Sequence, residues 1–206
     1  MEIDQIPING FDDNFSYFVG DGKSIGIIDP GDFPLLERLI SQGGYSVKSV
    51  LLTHSHYDHT DGVRDLVKKY GVPVYLHKNG RGRLEIDDQQ CVLLNDGEEV
   101  KIGEAVLKTL YTPGHLDDAV CYLGDEVVFT GDTLFVEGCG RSDLPGSNVQ
   151  ELFKSLQLIK ELPDDTKVYP GHNYGSKPVS DIAWEKKHNR YLKCKSLEEF
   201  EGTRMG

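Results

Sequence analysis

Short runs of β-branched and aromatic residues alternate along the chain with longer segments whose apolar positions recur at helical spacing, which predicts a mixed α/β architecture. The runs at 15–19 and 25–28 read as strands, and Gly20-Asp21-Gly22-Lys23 between them is a hairpin signal, since Gly accepts the positive φ of a tight turn. Asp29-Pro30-Gly31-Asp32 then breaks the strand and opens a helix over about 33–42, closed by Gly43-Gly44. A strand at 47–52 follows, then a helix over about 62–69, stopped by Gly71 and Pro73. The middle is richer in strands, at 74–76, 92–94, 100–102, 105–110, 119–123 and 127–130. Val149, Leu152, Phe153, Leu156, Ile159 and Leu162 mark a helix over about 148–162, ahead of a strand at 167–169 and a final surface helix over 180–191. No repeat, low-complexity tract or linker interrupts this order, so one domain over 1–206 is expected, with a short helical tail from about 180.

Charge narrows the functions open to such a chain. Lys and Arg number 22 against 34 Asp and Glu, a formal net charge of −12, and phosphate recognition needs the opposite balance. Neither nucleic acid nor an anionic membrane is therefore an expected partner. No run approaches the roughly 20 apolar residues of a membrane-spanning helix. Met1-Glu2-Ile3-Asp4-Gln5 lacks the basic stretch and apolar core of a secretory signal, so cytoplasmic residence is expected. Cys91, Cys121, Cys139 and Cys194 show no paired spacing and read as reduced structural thiols.

The histidines carry the chemistry. Three fall in Thr53-His54-Ser55-His56-Tyr57-Asp58-His59, directly after an apolar strand. Side chains alternate along extended chain, so His54 and His56 can point the same way while Asp58 and His59 face a second point nearby. Imidazole and carboxylate in this density are what a borderline-soft divalent ion prefers. Thr112-Pro113-Gly114-His115, Thr130-Gly131-Asp132-Thr133 and Tyr169-Pro170-Gly171-His172 each set one further donor just past a strand end, beside a Gly. Together with the cluster they offer enough donors for two metals and an open position for water.

The segments THSHYDH, TPGH, FTGDTLF and YPGH, with DDNFSYFV ahead of them and FTGDTLFVEGCG in the middle, resemble the metallo-β-lactamase superfamily and within it the glyoxalase II (hydroxyacylglutathione hydrolase) branch. The resemblance spans about residues 1–190 and implies an α/β fold, the four-layer αββα sandwich, with the metal site at one edge. It implies His54, His56 and His115 as ligands of a first metal, Asp58, His59 and His172 as ligands of a second, and Asp132 as the bridge. Two divalent ions so held, zinc by expectation with iron or manganese as alternatives, would bring the pKa of a shared water from about 15.7 to near 7 and so supply hydroxide at neutral pH. Asp132 and Asp58 are the expected catalytic carboxylates, Asp58 orienting the nucleophile. The substrate implied is a small-molecule thioester such as a glutathione conjugate, with Arg141 and Tyr174 at the positions that contact the thiol carrier.

Within the superfamily, Asp132 argues against the β-lactamases, His56 against the flavodiiron branch, and the acidic charge against RNase Z-like enzymes. The alternative that survives is a mononuclear iron persulfide dioxygenase, with His56 or its neighbour, His115 and Asp132 around the iron. Tyr57, where that branch has Ala, favours hydrolysis, whereas GCGRSD resembles the dioxygenase segment as much as the glyoxalase one. Asp143 in place of a carrier-site Tyr, and the lack of a long C-terminal helical domain, point to a short hydrolase of relaxed specificity. Outside the ligand set, His77 is expected to be packed, His188 solvated, Trp184 an anchor for the last helix, Cys139 structural, and Asp29 a hydrogen-bonding support for the metal loop.

Overall fold

A computed structural model describes residues 1–8 and 12–205. The first half forms β1 (Glu2–Pro7), β2 (Phe15–Asp21), β3 (Ser24–Ile28), α1 (Phe33–Gly43), β4 (Ser46–Leu51), the one-turn α2 (Tyr57–Thr60), α3 (Val63–Tyr70), β5 (Val74–His77) and β6 (Cys91–Leu94). The second half forms β7 (Glu99–Ile102), β8 (Ala105–Tyr111), β9 (Val120–Gly124), β10 (Val127–Gly131), the small pair β11 (Leu134–Phe135) and β12 (Gly138–Cys139), α4 (Val149–Lys160), β13 (Lys167–Pro170), β14 (Ser180–Asp181), α5 (Ile182–His188) and α6 (Leu197–Met205). One sheet runs in the order β1-β2-β3-β4-β5-β6 and the other β14-β13-β10-β9-β8-β7, so each sheet is drawn from one half of the chain.

Alternation along the strands builds the layers. On β2, Phe15, Tyr17 and Val19 pack between the sheets with Val100, Leu107, Val120, Tyr122 and Phe129, while Phe18 turns outward to the core beneath α1 and α3. On β9 and β10, Val120, Tyr122 and Phe129 face the centre and Cys121 and Val128 face α4, α5 and α6. Three apolar layers thus separate helix, sheet, sheet and helix, the expected αββα sandwich. Helix ends follow local chemistry: the Asp32 carboxylate accepts from Leu35 N at the start of α1, which ends on Gly44 at φ 62°, and Asn148 accepts from Gln150 N and Glu151 N at the start of α4.

The tail differs from the single helix expected over 180–191. Ser180 and Asp181 pair with β13, and the Asp181 carboxylate then accepts from Trp184 N, so α5 starts only at Ile182 and a separate α6 follows. Trp184 is half-buried, and the firmer anchor is Glu185, which is fully buried and accepts from Ser180 Oγ (2.6 Å), Glu137 N (2.8 Å) and Asn189 Nδ2 (2.9 Å). No helix among the described residues is long and apolar enough to cross a membrane.

Candidate metal centre

The donors sit where strands end. β4 runs into His54, β8 into His115, β10 into Asp132 and β13 into His172, and these carboxyl ends of both sheets meet at one edge of the sandwich, a common location for binding sites in α/β folds. Two glycines permit the approach. Gly131 adopts φ 45°, and a side chain there would strike Thr53; a Cβ on Gly171 would lie 2.5 Å from Asp132 Oδ1.

Among the described residues, three groups of side chains bring donor atoms within 4.8 Å of one another: His54, His56 and His115; Asp58, His59 and His172; and, between them, His54, His59 and Asp132. The seven residues singled out in the sequence are thus drawn together as two sets sharing one carboxylate. His54, His59, His115 and His172 are buried, and Asp58 is about one-third exposed at its side chain (34%).

Four of the five rings are held from behind through Nδ1. Thr53 Oγ1 donates to Asp29 Oδ2 (2.6 Å) and so can accept from His54 Nδ1 (3.1 Å). His59 Nδ1 donates to Asp29 Oδ2 (3.0 Å), His115 Nδ1 to the Arg141 carbonyl (2.9 Å) and His172 Nδ1 to the Asp12 carbonyl (2.7 Å). These bonds leave the Nε2 lone pairs facing inward, as in imidazoles that bind a metal through one nitrogen while the other is held by a hydrogen bond. His56 instead presents Nδ1, at 3.1 Å from His54 Nε2 and 2.9 Å from His115 Nε2.

That geometry fits cations. His59 Nε2 and His172 Nε2 face each other at 3.2 Å, and two neutral rings tied through Nδ1–H would oppose lone pair to lone pair. Asp132 Oδ1 is buried with no hydrogen-bond partner among the described residues, although both of those nitrogens lie 3.3 Å away. A buried carboxylate oxygen left so, among converging nitrogens, calls for a positive charge. In the ion-free protein protons answer that demand. Burial opposes charging His59, yet Asp132 and Asp29 raise it well above the usual imidazole value, and Asp132 likewise raises His172. Burial would raise Asp132, but the neighbouring His59 and His172 hold it well below the carboxylate range. Burial, with His59 beside it, pushes His54 well down, and burial together with His115 lowers His56.

Asp29 supports the metal loop as expected, through three bonds that include Thr53 N to Oδ1 (2.8 Å), and adopts φ 50° to do so. Asn14 and Asp12 were not foreseen. Asn14 Nδ2 donates to Asp58 Oδ2 (2.8 Å), and Asn14 forms an isolated β-bridge with His172. Asp12 and Asn14 both lie in the segment DDNFSYFV.

The cleft above these residues encloses about 340 Å³ and is rimmed by Tyr57, Phe135, Arg141, Leu144 and Tyr174. Tyr174 stacks on His172 (4.7 Å between centroids, 10° between planes) and is 51% exposed. Arg141 is exposed and its guanidinium is engaged by Asp143, at 2.9 and 2.8 Å, so the fork expected to meet a substrate carboxylate already holds one. The remaining candidates lie outside the cleft. His77 is buried and stacks on Tyr111 (4.1 Å), and His188 stacks on Trp184 (4.0 Å) at the surface. Burial pushes the Cys139 thiol up to about 12, despite Arg204 beside it.

A family profile described as "Metallo-beta-lactamase superfamily" matches residues 9–172, and the chain belongs to that superfamily. Among relatives, "Probable polyketide biosynthesis zinc-dependent hydrolase PksB" of Bacillus subtilis (strain 168) is 36% identical over 191 residues, covering 91% of this chain and 85% of its own. A protein named hydroxyacylglutathione hydrolase from Hahella chejuensis (strain KCTC 2396) is 35% identical over 206 residues, covering 93% and 76%. In three dimensions the crystal structure of ETHE1 from Myxococcus xanthus superposes with a TM-score of 0.87 at 34% identity, over all of this chain (100%) and 91% of that one.

Proposed function

We propose that the protein is a binuclear metal-dependent hydrolase that cleaves thioesters of small thiols, in the manner of a hydroxyacylglutathione hydrolase. The observation that carries this reading is the pair of converging donor sets joined by buried Asp132. His54, His56 and His115 would hold one ion, Asp58, His59 and His172 the other, and Asp132 both. Zinc suits imidazole and carboxylate donors, and the relative PksB is named as zinc-dependent. When bound, such ions supply Lewis acidity and a lowered water pKa, so no Ser or Cys nucleophile is required.

The chain's own residues do the rest. Asp29, Thr53, Asp12 and the Arg141 carbonyl fix four ring orientations before substrate arrives, which avoids reorganisation during reaction. Asp58, partly open to the cleft and steered by Asn14, is placed to orient a water molecule. Arg141 and Tyr174 border the cleft where a thiol carrier would lie. The four free cysteines suit a reducing compartment such as the cytoplasm.

Zinc-loaded protein is expected to release thiol from S-D-lactoylglutathione. One tightly bound iron and no thioester turnover would refute the reading. A second reading, an iron-dependent persulfide dioxygenase, is favoured by the two-histidine, one-carboxylate arrangement of His56, His115 and Asp132, with His115 Nε2 3.4 Å from Asp132 Oδ2. It requires oxygen consumption by iron-loaded protein supplied with glutathione persulfide.

A further inference from the structure

Beside the metal-ligand cleft, a second cleft of about 480 Å³ runs along α2 and α3. Tyr57 lines both, and its ring, flanked in sequence by His56 and Asp58, is 74% exposed. One exposed aromatic is ordinary on a protein surface. This one is shared by the two clefts, so a chain running from one into the other can pass over it.

The floor of the second cleft is apolar: Val63 is buried, and Leu84 and Ile86 are partly covered where they pack on the core beneath α1 and α3. The charges around it balance, Arg64, Lys68 and Arg83 against Asp61, Asp65 and Glu85. Two of the cations already have partners. Arg64 lies 3.4 Å from Glu85, and Arg83 Nη1 lies 2.7 Å from Asp117. A charged moiety such as a peptide thiol carrier, with its carboxylates and ammonium, gains little from such a rim. Methylene groups gain from the floor.

We propose that this second cleft is the acyl subsite: the neutral acyl chain of the thioester crosses Tyr57 and lies over Leu84 and Ile86, leaving the thiol carrier to the rim of Arg141 and Tyr174. This inference rests on the thioesterase reading. It assigns Tyr57, Leu84 and Ile86 to specificity rather than to chemistry, and predicts a preference for acyl groups longer than acetyl.

The test uses metal-loaded full-length protein with acetyl-, butanoyl- and hexanoyl-S-glutathione, and calorimetric binding of S-methyl- and S-hexylglutathione. For the wild type, kcat/KM is expected to rise about two- to fourfold per added methylene, the span from partial to full burial of each group. Ile86→Ser and Tyr57→Ala are each expected to lower the hexanoyl-to-acetyl ratio by about fivefold or more, corresponding to the loss of one or two buried methylenes' worth of contact. Because the readout is a ratio within one protein, a general loss of activity cancels. Leu84→Ala reads the same ratio if Ile86→Ser does not fold. Hydrolysis with a flat chain-length profile, or ratios unchanged in the variants, overturns the subsite and leaves the thioesterase reading standing. Absence of any thioester hydrolysis overturns that reading, and equal affinity for the S-methyl and S-hexyl ligands then overturns the subsite as well.

Discussion

At the floor of the site His54, His59, His115 and Asp132 are buried and every one of these rings is tied through Nδ1, whereas at the rim Tyr57 and Tyr174 stand largely in solvent and the exposed Arg141 guanidinium pairs with its neighbour Asp143. The three rings of the floor are each fixed by burial and by a hydrogen bond behind them, and Asp132 is buried among them. The rim rests on solvent-exposed contacts, the Tyr174 ring on His172 and the Arg141–Asp143 pair. Metal affinity and bond cleavage should therefore depend on the floor and its supports, and substrate choice on the rim.

The strongest way to break that division is at Asp132. Asp132→Asn keeps the shape and removes the charge shared by the donor sets, and is expected to cut thioester turnover by about 1,000-fold or more, since metal-derived stabilisation of a transition state amounts to several kcal/mol. Metal content by elemental analysis should fall with it. One shell out, Asp29→Asn loses the acceptor shared by Thr53 and His59 and is expected to weaken metal binding by about 10- to 100-fold, measured by chelator competition. A full-affinity Asp29→Asn variant would show that the floor needs no support from behind.

Acidity separates the two states of the floor. In ion-free protein the raised His59 contributes stability that is fully present below about pH 6.5, the ordinary imidazole value, and is lost as pH rises through its higher folded value. Metal must displace that proton, so the ion-loaded protein should gain stability over the same rise in pH. Thermal melts of the two forms across pH 5 to 9 should then diverge, and parallel curves would contradict the proton's role as the cation's substitute. The rim should respond least. Arg141→Ala is expected to raise KM by about tenfold at most, with kcat little changed, because an exposed guanidinium already paired with Asp143 and screened by solvent adds little to substrate binding. His188→Ala, remote from both regions, should change neither.

The same contrast governs what could be read in the sequence. A candidate ligand just past a strand end leaves a local signature: His115, Asp132 and His172 each follow a Gly there, and His54, His56, Asp58 and His59 fall in one run directly after the strand at 47–52. Asp29 was legible as a turn residue in Asp-Pro-Gly, just past the strand at 25–28. Asp12 acts through its main-chain carbonyl, which any residue could supply, so no side-chain pattern announces it. Asn14 and Glu185 gain their roles from partners far along the chain, Asp58 and Glu137, and spacing cannot reveal such pairs. The elements followed suit. Strands with apolar alternation were found to within a few residues, while β1, with Glu2, Asp4 and Gln5 among its residues, and α6, whose fully buried apolar anchor is Phe200, lacked the periodicity that marks an element.

The proposed function makes the floor a two-ion site built around Asp132. Calorimetric titration of ion-free protein with zinc, on wild type and Asp132→Asn side by side, tests it most directly. Two zinc ions per wild-type chain, with the second lost or greatly weakened in the variant, is the predicted result; a single ion in both proteins with equal affinity would contradict it.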